Sequence, residues 1–193
     1  MRAPFAATAL LLFGFSLTAM PSTSRADLIK APPKKGAAVK STGGENKVSW
    51  MAFDAAAERA KRENKHMIVD VYTTWCGWCK VMDKQTYSNA DVAAYLNDNF
   101  VLAKVNGESS AELHYKGEVM TERAFARKVG VTGFPTTYFL KPDADIIGGA
   151  PGYIPPDNFM IYAKYVSTKW YEKGSPQDYL KATGQQGAAT PAN

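Results

Sequence analysis

Side chains that bind metals well are scarce in this sequence: it holds 2 cysteines and 2 histidines in 193 residues. So small a set excludes a disulfide-rich scaffold, a four-cysteine zinc site and an iron–sulfur cluster. No Arg/Lys run with interleaved aromatics occurs, and the formal net charge is only +5, so nucleic acid is not an expected partner. Low-complexity segments are missing too. With 21% charged and 12% aromatic residues, the chain is not broadly disordered. No internal repeat is present, and the length suits one globular domain with extra segments at its ends.

The one long apolar run stands at the start. Arg2 precedes an apolar stretch from Ala3 to Met20, followed by Pro21, Ser22 to Ser24, Arg25 and Ala26. A basic start, a short apolar centre and small residues at Ser24 and Ala26 describe a secretory signal (residues 1–26) cut after Ala26. A retained anchor is the rival reading; Pro4, Gly14 and the small-residue exit count against it. No cysteine lies near the cut, so a lipid anchor is excluded. The expected product is a soluble periplasmic protein with no membrane attachment after cleavage. In that oxidising compartment cysteines usually act as staples. Cys76 and Cys79, three positions apart, would close too small a loop to stabilise much.

Residues 27–47, with Pro32, Pro33, Gly43 and Gly44, read as a flexible leader, and residues 172–193, with Gly174, Gly184, Gly187 and Pro191, as a flexible tail. The folded body is expected over residues 48–171. Trp50, Phe53, Ala57 and Ala60 recur at helical spacing and predict an amphipathic helix ending near Asn64. Met67 to Tyr72 predicts a buried central strand, and a helix should open at Cys76. Ser88 with Asp91 three residues later predicts a capped helix carrying Val92, Tyr95 and Leu96. Further strands are expected over Phe100 to Val105, Thr136 to Leu140 and Ile146 to Ile147. Thr121 should cap a helix through Phe125, and Phe159, Tyr162, Ala163, Val166 and Trp170 should form one face of a last helix. The fold class is therefore α/β, a central mixed β-sheet with helices on both faces.

Two thiols in Cys76-Gly77-Trp78-Cys79, placed where a strand gives way to a helix, suit disulfide chemistry. The first cysteine meets the free N–H groups and dipole of the helix start, which favour thiolate; it should be the more exposed. The second is sheltered one turn inside. Metal binding is the duller alternative, but only His66 and His114 are available to complete a donor set, and no metal is expected. Both histidines read as ordinary structural residues. Asp70, between Val69 and Val71, should point inward with a raised pKa.

The stretch from Met67 to Lys80 resembles the strand, active-site motif and helix start of the thioredoxins without a gap. Leu102 to Asn106 resembles that family's next strand, and Val131 to Thr136 its cis-proline segment. The resemblance covers roughly residues 48–171 and implies the thioredoxin fold. It implies that Asp70 lies beneath the disulfide, that Lys104 lies near it, and that Phe134-Pro135 is cis and faces the cysteines. A closer similarity is to periplasmic thioredoxin-like domains, including the C-terminal domain of the transmembrane thiol:disulfide interchange protein, through Thr86 to Val92. Two departures concern substrate and redox poise: Gly77-Trp78 replaces Gly-Pro, and Gly107 to Met120 looks like an insertion.

The expected activity is thiol–disulfide exchange without a cofactor, most simply as a reductase of protein disulfides. Cys76 attacks, Cys79 resolves, Asp70 takes the Cys79 proton, and Pro135 aligns the substrate backbone. Trp75 should shield the thiols, and Trp78 either faces substrate or lids the helix start; Gly77 and Phe134 complete the expected substrate surface. Lys104 is either the partner of Asp70 or an ordinary solvated lysine. The expected partners are a protein disulfide or dithiol and a membrane thiol-relay electron donor. An oxidase or isomerase of the same fold, and a redox-inactive binding module, are the alternatives.

Overall fold

The computed structural model describes residues 47–185. The expected signal and nearly all of the leader lie outside the described residues. Strand β2 (Met67–Tyr72) is buried at all but its last residue, as a β-branched run with no polar alternation requires. It forms the middle of a five-stranded sheet with β1 (Trp50–Met51), β3 (Val101–Asn106), β6 (Thr136–Leu140) and β7 (Ile146–Pro151), in the order β1-β3-β2-β6-β7. The β1–β3 and β3–β2 pairs are parallel, whereas β6 runs antiparallel to both β2 and β7.

Alternation along β2 and β3 sends residues to two cores. Met67, Val69 and Val71 join Val101, Ala103 and Val105 on one face, covered by Phe53, Ala56 and Ala60 of α1 (Phe53–Glu63) and Phe125 of α4 (Glu122–Lys128). Ile68 and Leu102 face the other way. They meet Met82 of α2 (Gly77–Gln85), Val92 and Leu96 of α3 (Ala90–Asn99), and Phe159 and Val166 of α5 (Pro156–Ser167). Asp70, two residues after Ile68, shares that second face, which places its carboxylate on the α2 side. The cross-strand register sets Asp70 against Lys104 on one side and Thr137 on the other.

Four expectations need correction. Trp50 is not helical: it pairs in β1 with Leu102, and α1 opens only at Phe53. Its apolar spacing reflects a ring packed edge-on against Tyr87, centroids 4.8 Å apart. Ser88 is not the cap of α3. Asn89 is, its side chain accepting from the N–H groups of Asp91 and Val92, while the Ser88 hydroxyl donates to the Asp83 carbonyl. The Gly107 to Met120 stretch, read only as an insertion, carries a hairpin that runs one residue past it, β4 (Glu112–Tyr115) and β5 (Glu118–Thr121). Its two-residue turn, Lys116-Gly117, has φ of 51° and 83°, the positive pair that a tight hairpin favours. Leu113 and Tyr115 anchor it to the α1 core.

The tail is the fourth. After a 3-10 turn at Trp170–Glu172, which takes Trp170 out of α5, the chain forms α6 (Pro176–Thr183). Ser175 and Asp178 build a reciprocal capping box, Pro176 opens the helix and Gly184 closes it in the left-handed conformation. Tyr179 and Leu180 are buried against the α5 core. Of the residues that resemble linker composition, Gly184 is helix punctuation, while Gly187 and Pro191 lie outside the described residues.

Candidate active site around Cys76 and Cys79

Strand β2 ends at Tyr72, and the backbone turns through Thr73 to Trp75 into α2. The Cys76 N–H donates to the Thr73 carbonyl at 3.3 Å. Cys76 is the N-cap of α2, and its Sγ accepts the Cys79 N–H at 3.0 Å. That is the position at which the helix offers an unsatisfied donor to a sulfur carrying negative charge. Cys76 and Cys79 are joined as a disulfide, with Cα atoms 5.3 Å apart. Each is 4% exposed, so the expected difference in exposure between them is not present in this oxidised form; the bond draws both residues to one depth. Exposure belongs instead to Trp75 and Trp78, at 64% and 61%.

Each tryptophan has an aromatic neighbour. Trp75 meets Phe134 edge to face, centroids 6.0 Å apart, and Trp78 stacks on Tyr153 at 5.8 Å. The Tyr153 hydroxyl donates to Gln85 at the far end of α2, at 2.6 Å. The Phe134–Pro135 peptide is cis, and the Pro135 carbonyl accepts the Gly152 N–H at 2.7 Å. Gly107 makes room for Phe134, since a Cβ there would lie 2.6 Å from the ring. Around Gly77 nothing lies within 4 Å of such a Cβ, so no steric demand selects glycine there.

Asp70 is 2% exposed. Burial pushes its pKa up to about 6; Lys104 pulls it back, Asp83 raises it further, and hydrogen bonds from Lys104 and Tyr87 lower it. The Lys104 ammonium stands 3.5 Å from Asp70 Oδ2 and 2.5 Å from Asp83 Oδ1. Rings of Tyr72, Trp50 and Tyr87 surround it at 5.0, 5.3 and 5.9 Å, so Lys104 is the partner of Asp70 and no ordinary surface lysine. Among the described residues, Asp70 Oδ1 and Thr73 Oγ1 are buried polar atoms without a hydrogen-bond partner. The Tyr87 hydroxyl lies 3.3 Å from Thr137 Oγ1, and burial raises its pKa well above the usual value.

The histidines are engaged elsewhere: His66 Nε2 with the Tyr171 hydroxyl and His114 Nδ1 with Asp54, both at 2.8 Å. Sequence reasoning missed Asp83, Tyr87, Trp50 and Tyr153. Asp83 follows Cys79 by four positions, one helical turn along the same face, which is a readable signal. Tyr153 arrives from beyond β7 and carries none. The arrangement is a helix-capping sulfur, a bonded second sulfur and a buried carboxyl with elevated proton affinity. Chemically it can hold a thiolate, close a disulfide and take up a proton.

Residues 38–175 match the family Thioredox_DsbH, described as "Protein of unknown function, DUF255". An uncharacterized protein of Caenorhabditis elegans is 32% identical over 149 residues, covering 73% of this chain and 19% of that protein. The chain thus spans less than a fifth of that relative. A thioredoxin-fold protein from Helicobacter pylori superposes with a TM-score of 0.56 at 18% identity, covering 65% of this chain and 88% of that one. For a thioredoxin from Thermus thermophilus the TM-score is 0.53 at 24% identity, with coverage of 65% and 90%. These likenesses establish the thioredoxin fold.

Proposed function

The chain belongs to the Thioredox_DsbH family within the thioredoxin-like superfamily, and from that premise we propose that it is a thiol–disulfide oxidoreductase reducing protein disulfides in the periplasm. The observation that carries the reading is the Cys76–Cys79 disulfide at the start of α2, with Cys76 Sγ accepting the Cys79 N–H. A thiolate formed at Cys76 inherits that hydrogen bond and the helix dipole.

In the reduced protein the Cys76 thiolate attacks one sulfur of a substrate disulfide. A mixed disulfide forms and the other substrate sulfur leaves as thiolate. Asp70 then accepts the Cys79 proton, and Cys79 attacks Cys76 Sγ. The Cys76–Cys79 bond closes and the second substrate sulfur departs; two electrons have passed from the dithiol to the substrate. An acid with a pKa of about 6 is a suitable acceptor near neutral pH, being ionised yet more basic than an exposed aspartate. Lys104, held between Asp70 and Asp83, steadies the Asp70 carboxylate before it takes up the proton. Regeneration requires a dithiol donor, which in that compartment is a membrane thiol relay.

The reducing direction rests on the dipeptide between the cysteines. Gly77-Trp78 supplies no imidazole to stabilise the Cys76 thiolate, and the indole adds apolar bulk. Equilibration with glutathione tests it. A potential near about −270 mV is expected, whereas one above about −180 mV would assign the protein to oxidation or isomerisation.

A further inference from the structure

Trp75, next to Cys76 in the chain, packs edge to face on Phe134, and Phe134 has a second face. It forms one wall of an open groove whose other lining includes Gly107, Glu108, Arg123 and Arg127. The groove therefore begins at a ring that touches the active-site tryptophan. Gly107 holds that ring in place: its N–H continues the β3–β2 ladder to the Tyr72 carbonyl at 2.8 Å, and it carries no Cβ to push Phe134 away.

The charge in the groove is not balanced. Arg123 donates from Nε and Nη2 to the Glu108 carbonyl, at 3.2 and 2.6 Å, which orients the guanidinium without neutralising it. Arg127 lies four residues on along the same face of α4, is exposed, and has no carboxylate partner among the described residues. The neighbouring cation, Lys128, by contrast, is paired with Glu118 at 2.8 Å. Glu108 brings the one carboxylate of the lining, so two guanidinium groups, that of Arg123 oriented by its backbone contact, stand with a single acid.

We propose that this groove extends the substrate surface and receives an acidic stretch of the protein substrate, with an apolar side chain beside the reacting cysteine seated against Trp75 and Phe134. The proposal rests on the oxidoreductase reading and adds the class of segment recognised. The Arg123 guanidinium, fixed through Nε and Nη2, keeps its remaining N–H groups for a carboxylate, and the Arg127 charge one helical turn on suits a second acid along an extended chain. Steering by the same charges raises the encounter rate at low salt.

The test uses the Cys79→Ser protein and peptides whose single cysteine is bonded to thionitrobenzoate. Attack by the Cys76 thiolate on the peptide sulfur releases the coloured thionitrobenzoate anion, and without Cys79 the peptide stays bound. Three peptides with the same apolar neighbour carry two Asp, two Asn or two Lys farther along. The readout is the ratio of acidic to basic rate. A ratio of about ten at low salt is expected, falling toward one in high salt. It should fall likewise with Arg123→Gln and Arg127→Gln combined, and invert with Arg127→Glu. A ratio within about twofold of one in the parent protein at low salt overturns the groove while leaving the oxidoreductase reading intact. So does a ratio that survives both the double substitution and high salt. Failure of all three peptides to release the anion overturns the oxidoreductase reading itself, and the groove assignment with it.

Discussion

Replacing Asp70 with Asn should stabilise the oxidised protein, by an amount set by pH. The folded-state pKa of Asp70 is about 6, against an ordinary value of 3.8. A carboxyl whose pKa rises on folding binds its proton more tightly in the folded state. Its contribution to stability is therefore fully present below about pH 4 and is lost as pH climbs through about 6. The gap between 3.8 and about 6 corresponds to about 3 kcal/mol. Asn cannot ionise and escapes that loss. Removing the carboxylate does not strand Lys104, whose ammonium keeps Asp83 at 2.5 Å and its three surrounding rings. The stability difference, variant minus parent, should grow by about 2–3 kcal/mol between pH 4 and pH 8. His66, whose pKa is lowered by burial, is common to both proteins and cancels. Urea unfolding of the disulfide-bonded forms at intervals from about pH 4 to pH 8 measures the difference with no thiol titrating. A difference that stays flat across that range, or a variant less stable than the parent at pH 8, refutes the desolvated-carboxyl reasoning.

The same Asp70→Asn protein should resolve mixed disulfides more slowly while its first attack is little changed; stopped-flow traces of the two steps between about pH 6 and pH 9 separate them. Cys76→Ser should abolish turnover, whereas Cys79→Ser should accumulate mixed disulfides, as non-reducing gels will show; equal trapping by both variants would count against the assigned order of attack. Gly107→Ala should cost about 1–3 kcal/mol in urea unfolding, because its Cβ would lie 2.6 Å from Phe134, while Gly77→Ala, with nothing within 4 Å, should be neutral or stabilising by up to about 1 kcal/mol. Osmotic shock should release a protein beginning at Asp27, and a chain retaining Met1 in the membrane fraction would reject the secretion reading.

The central strand and the cysteine pair were legible because they are local. A buried β-branched run bounded by a Cys-x-x-Cys carries its own signal, and Val69 and Val71 turn Asp70 inward, while its place relative to Cys76 is what the thioredoxin resemblance implies. Trp50 misled because an edge strand of two residues is too short to show alternation, and its ring happens to fall in step with α1. The hairpin at Glu112 to Thr121 was hidden by its length, although Lys116-Gly117 and the apolar pair Leu113 and Tyr115 mark it in retrospect. Ser175-Pro176 with Asp178 is a complete helix-start signal that glycine content obscured. The lysine bridge between Asp70 and Asp83 depends on β3 and α2 meeting in space, and no spacing within either element reveals it. Tyr153 behind Trp78 is of the same kind.

Single-turnover reduction of insulin tests the central claim most directly. The reduced protein is mixed with insulin in stoichiometric amount, without any other thiol, and both partners are assayed for free sulfhydryls over time. If Cys76 and Cys79 are an exchanging dithiol, each Cys76–Cys79 disulfide formed will be matched by one insulin disulfide lost, and the Cys76→Ser protein will do neither. Insulin that stays oxidised while Cys76 and Cys79 remain free thiols would contradict the account.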